Sequence, residues 1–197
     1  MGMVLGYIRV SPRNAAALLE NPERLRSFLD PTPPRSATEA PSPSGLGSRW
    51  WGTSGGHRPH TAAPFESRDP KDHGTADKSW NAIHYLLTGS AHEGTFPAGF
   101  ILVGGTPVGD VDVGYGPARL FTPGEVREIE GALSKINREV AQRRFDGAAM
   151  DAAGVYPQIW ARTDEEVFEY AWENLRALQE FVRHTVERNQ ALILLLT

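Results

Sequence analysis

"ALILLLT", residues 191–197, opens with six apolar residues and no polar alternation. A strand with one wet face alternates apolar and polar residues, because successive side chains point to opposite sides. A short unbroken apolar run bounded by polar residues fits a strand covered on both faces. The chain end is therefore expected near the middle of a sheet. "MVLGYIRV" (3–10) is rich in β-branched and aromatic residues, which suit a pleated, packed surface. It reads as a second strand, from the opposite end of the chain.

The segments between are mostly helical. In "SPRNAAALLENPERLRSFLD" (11–30), Ser11 can cap and Pro12 fits the first turn, where no N–H is needed. Leu18, Leu19, Leu25, Phe28 and Leu29 supply an apolar side, and Asn21-Pro22 should break or kink the helix. "ADKSWNAIHYLLTG" (76–89) predicts a helix over about 77–88, with Asp77 as N-cap and Gly89 as a left-handed stop. "GFILVGG" (99–105) reads as a short buried strand, and "VGDVDVGYGPARLF" (108–121) as a loop followed by a strand over 117–121.

In "TPGEVREIEGALSKI" (122–136), Thr122 and Glu125 have capping-box spacing, and Val126, Ile129, Leu133, Ile136 and Val140 recur at helical spacing. A short helix is expected over 145–154 and a connector at "VYPQIW" (155–160). The longest helix runs over 163–189. Thr163 and Glu166 form its capping box, and Val167, Ala171, Leu175, Leu178, Val182 and Val186 its buried stripe. The expected architecture is a single α+β domain over 1–197: a small mixed sheet including both chain termini, packed by several helices, with a long C-terminal helix.

Residues 31–75 differ in character. They hold eight of the fifteen prolines, many Ser and Gly, and almost no aliphatic residues. Such a segment cannot offset its ordering entropy by apolar burial, so a mobile insertion is expected. Trp50 and Trp51 stand out inside it as an anchor on the domain or as a partner-binding surface.

Composition narrows the function. The 197 residues carry a net charge of −4, so the basic surplus typical of nucleic-acid binders is absent. There is no Cys, which excludes disulfides, thiol nucleophiles and Cys-based zinc sites. The first residues lack the features of a signal peptide, and the terminal apolar run is too short to span a bilayer. A cytoplasmic protein that contacts neither membrane nor nucleic acid is expected.

Taken in order, "MGM", "DKSWNAIHYLLTG", "GYGPARLFTPGEV", "VYPQIW", the long acidic-start helix and the apolar last strand resemble the bacterial YfbM-like family, a domain of unknown function. The similarity covers 76–197 well and 1–30 loosely, and 31–75 departs from it. The resemblance implies an α+β fold and a soluble bacterial protein. It supplies no reaction, cofactor or catalytic residue.

His84 is the ionisable residue that demands an account, because it shares a helical face with Trp80, Ile83 and Leu87. One reading is a packed ring bonded to a backbone carbonyl or to the hydroxyl of Tyr115 or Tyr156. The other is a ligand-binding cleft of Trp80, His84, Tyr115, Arg119, Tyr156 and Trp160, taking a small polar ligand with His84 as base.

Other motifs are weaker. His57, His60 and His73 have no spacing that defines a metal site. Asp110 and Asp112 lack the further oxygen ligands of a calcium loop. "VGGTPVGDVDVGYG" lacks the endings of nucleotide-binding loops, and no Ser lies in a Gly-x-Ser-x-Gly context. No metal or cofactor is expected. The function that fits is a non-enzymatic binding or accessory module for an unknown protein partner. The alternative is an enzyme or small-ligand binder at His84, Tyr115, Arg119 and Tyr156.

Overall fold

The computed structural model describes residues 2–29, 65, 69–162 and 165–197. Trp50, Trp51, His57, His60 and most of the expected insertion lie outside the described residues, as does Thr163.

Five strands form one sheet: β1 (Leu5–Val10), β2 (His73–Asp77), β3 (Thr106–Asp112), β4 (Pro117–Phe121) and β5 (Ala191–Leu196), in the order β2-β1-β5-β4-β3. β5 takes the central place that its unbroken apolar run implies. Leu192 and Leu194 face one core, and Ala191 and Ile193 the other. β1 obeys the same period of two, with Leu5 and Tyr7 on the first side and Ile8 and Val10 on the second.

Every pairing is antiparallel, where a mixed sheet is the sequence expectation. Parallel neighbours need a long crossover. β3 and β4 are joined instead by the short turn 113–116, and β5 enters between β1 and β4 directed against both.

The first core lies under α3 (Trp80–Thr88), α4 (Pro123–Leu133) and α7 (Glu165–Glu187). The second lies under α1 (Pro12–Glu20) and α2 (Leu25–Leu29). α1 and α2 are one helical segment broken at Pro22, as expected. The Ser11 hydroxyl accepts from the Asn14 N–H and caps it. α7 buries Val167, Ala171, Leu175, Leu178 and Val182 of its expected stripe, while Val186 is only partly buried. Among the described residues no helix is long and apolar enough to cross a membrane.

Five local expectations change. Residues 99–105 are turns, not a strand: Gly99 N–H bonds Thr95 O at 2.8 Å and Val103 N–H bonds Gly99 O at 2.9 Å. Phe100 and Ile101 are fully buried all the same, because an apolar run is buried whichever backbone it adopts.

Residues 106–112 are strand rather than loop, and His73–Thr75, placed in the insertion, belong to edge strand β2. β2 is polar and pairs on one side only, so it carries no apolar period.

Asp77 does not cap α3. It ends β2 in the left-handed region (φ 46°), and the helix begins after Ser79. Its stop at Gly89 (φ 79°) is as expected.

The helix over 122–136 ends at Leu133. A second, α5 (Arg138–Arg144), starts from an Asn137 cap, and α6 (Gly147–Ala152) follows. The Thr122–Glu125 capping box is present at the start of α4.

Candidate functional site

His84 is completely buried. Its Nε2 lies 3.1 Å from the carbonyl oxygen of Glu93, in the loop after α3, rather than near a Tyr hydroxyl. Its Nδ1 has no hydrogen-bond partner among the described residues. Burial lowers the imidazole pKa, against the opposing effect of the Glu93 carbonyl, and nearby His92 lowers it further. The ring is neutral at neutral pH. The same loop is tied down by Asn81, whose Nδ2 donates to Ala91 O at 2.7 Å. Its Oδ1 accepts the Tyr156 N–H at 2.7 Å.

The other residues of the expected cleft fall into two places. Trp80 and Tyr156 stack at 6.0 Å between centroids. "DKSW" and "VYPQIW" meet in this stack, and within the latter the Trp160 indole N–H is shared between the carbonyls of Val155 and Tyr156, at 3.1 and 3.2 Å. Tyr170 closes this cluster. Its ring stacks on Trp160, and its hydroxyl donates to Asp77 Oδ2 at 2.7 Å while accepting the Lys78 N–H at 3.2 Å.

Tyr115 and Arg119 lie elsewhere, by the turn between β3 and β4. Tyr115 is 58% exposed. The Arg119 guanidinium donates to the Gly104 carbonyl at 2.9 Å and to that of Ile101. The two residues share a cavity of about 30 Å³, room for a water or two rather than a ligand. Asp112 is committed to the same turn, accepting from Gly114 N–H and Gly116 N–H at 2.8 and 3.1 Å, and these bonds lower its pKa.

A larger depression is lined by none of the residues of the expected cleft. Between the end of α4, the start of α5 and one side of α7 is a groove of about 490 Å³. Its floor is Leu133, Ile136 and Trp172. Trp172, Arg176, Gln179 and Arg183 reach it from α7. They are spaced by four, three and four residues, the repeat of one helical face.

Gln179 builds this wall. Its Nε2 donates to the carbonyls of Leu133 and Ile136, both at 2.8 Å, where the last carbonyls of a helix lack partners within it. Arg138 forms a bidentate pair with Glu169 and stands over the Phe168 ring at 5.4 Å. The α7 spacing is the sequence signal for the groove, but it runs beside the stronger buried stripe and looks like an ordinary solvent face.

The chain matches the family model "Domain of unknown function (DUF1877)" over residues 1–195. Its fold is similar to that in the crystal structure of YfbM, a protein of unknown function from Escherichia coli. The TM-score is 0.63 at 13% identity, over 98% of this chain and 99% of that one. At that identity the likeness is one of fold. No curated protein matches the chain.

Proposed function

The chain belongs to the DUF1877 family of unknown function, and we propose that it is a non-catalytic binding module that receives a protein partner in the groove between α4, α5 and α7. The observation that carries this reading is the composition of the groove: apolar Leu133, Ile136 and Trp172 lining it together with Arg138, Arg176 and Arg183. Concave sites with apolar floors and a few convergent polar groups are the usual places of binding, and Trp and Arg dominate the energetics of interfaces. Three reactive-type side chains elsewhere each make a structural bond, with one nitrogen of His84 left over. His84 is bonded to its own loop, Asp77 to Tyr170, and Asp112 to its own turn. The alternative cleft of His84, Tyr115, Arg119 and Tyr156 has weaker support, because the contacts of these residues fall in separate places.

The test is selection of random displayed peptides on the protein, followed by hydrogen exchange of the complex. Selected peptides should protect amides at the α4–α5 junction and around Trp172–Arg183. Ser134→Trp, which fills the groove from an exposed position, should abolish binding. Peptides that protect another surface, or bind the Trp variant equally, would sink the reading.

A further inference from the structure

The groove is the first of three depressions in series. A second, of about 200 Å³, shares Ile136 with it and is walled by Lys135, Ala132 and the loop 95–98. A third, of about 260 Å³, shares Leu87 and Arg144 with the second and reaches Tyr85 and Gly89 at the end of α3.

The charge along this series is opposite to that of the whole chain. Five of the twenty Lys and Arg line it, against two of the twenty-four Asp and Glu, namely Glu130 and Glu180. Arg138 and Arg183 are paired with Glu169 and Glu187. Lys135, Arg144 and Arg176 have no carboxylate partner among the described residues. Arg144 is instead held over the end of α3, donating to Leu86 O at 2.7 Å. Each depression thus has an apolar wall and a cation that forms no ion pair among the described residues: Trp172 with Arg176, Ile136 with Lys135, Leu87 with Arg144. Concave strips of one sign focus their field and favour partners of the other sign.

Resting on the groove reading above, we infer that the occupant is an acidic, extended peptide segment of a partner protein, with apolar side chains in the depressions and carboxylates on Lys135, Arg176 and Arg144. An extended chain presents side chains at regular intervals, which suits a row of separate depressions better than one deep pocket does.

The probe is a labelled peptide alternating Glu and Leu, compared with its Gln-for-Glu counterpart by fluorescence anisotropy and hydrogen exchange on the full chain. The acidic peptide should bind at least about tenfold tighter and weaken as salt rises. Lys135→Glu with Arg176→Glu, both exposed positions, should reverse the preference towards a Lys–Leu peptide while leaving the thermal melt unchanged. Equal affinity of the Gln peptide, with the groove amides protected, would overturn the acidic class and leave the groove standing. Protection by neither peptide would overturn both. An oligothymidylate that displaces the acidic peptide and protects the same amides more strongly would replace it with a nucleic-acid ligand.

Discussion

The His84 ring lies against its own downstream loop, with Nε2 3.1 Å from the Glu93 carbonyl oxygen. One ring nitrogen secures the loop. The other is buried without a partner among the described residues. Replacing His84 by Ala leaves the carbonyl unpaired and opens a cavity, so it should lower stability by about 1–3 kcal/mol. Urea denaturation measures this. An unchanged midpoint would mean that the loop does not depend on the ring.

Burial, the largest cause, holds the His84 pKa below the usual imidazole value of 6.5. The unfolded chain therefore takes up a proton first as pH falls. Stability should be level above 6.5 and decline as pH drops from there towards the lowered folded value. His84→Gln should flatten part of that decline in thermal melts recorded across the range. A wild-type melt equally stable throughout would contradict a buried neutral ring.

Two tyrosines act at the other end of the scale. Burial pushes Tyr7 up to about 12. Tyr170 is raised to about 12 by burial and then by its bond to the Asp77 carboxylate and the charge of that group. In the unfolded chain both phenols ionise near 10, so stability should fall as pH rises from 10 towards 12. Absorbance titration should show these phenols ionising late. Tyr170→Phe should remove one late transition and cost about 1 kcal/mol through its lost hydrogen bonds.

Gln179 makes a fourth test, because it joins α7 to the end of α4 across the groove wall. Gln179→Ala should cost about 1–2 kcal/mol, because the Ile136 carbonyl loses its donor and the Leu133 carbonyl keeps only the Ile136 N–H. It should also speed hydrogen exchange at the α4–α5 junction more than in β5. Uniform exchange changes would show that the bond does not hold this junction in particular.

The parts of the fold legible beforehand are those fixed by local chemistry. The apolar run of β5, the break at Pro22, the Thr122–Glu125 box and the Gly89 stop each have a cause within a few residues. What was not legible depends on distant partners. β2 is polar and becomes a strand only by pairing with β1, and Asp77 is turned away from capping by Tyr170, far along the chain. The groove is hidden for the same reason. Its α7 residues are readable at helical spacing, but the depression exists only because α4 ends at Leu133 and Gln179 holds that end.

The final prediction concerns two glycines that sequence alone treats alike. Gly131 lies inside α4, and a Cβ added there meets nothing within 4 Å. Alanine loses less backbone entropy on entering a helix, so Gly131→Ala should stabilise the protein by about 0.5–1 kcal/mol. Gly147 opens α6, where a Cβ would sit 1.8 Å from the carbonyl oxygen of Trp160. That carbonyl belongs to backbone fixed from both sides. Asp151 accepts the N–H groups of Trp160 and Ala161, each at 3.0 Å, and the Trp160 ring is buried against Phe145 and Tyr170. With no flexible side chain to give way, Gly147→Ala must push α6 off the "VYPQIW" connector. It should cost about 2–3 kcal/mol or more. The pair of variants, compared by thermal melting, separates helix propensity from close approach. A Gly147→Ala protein that melts with the wild type would show that α6 does not approach Trp160 this closely.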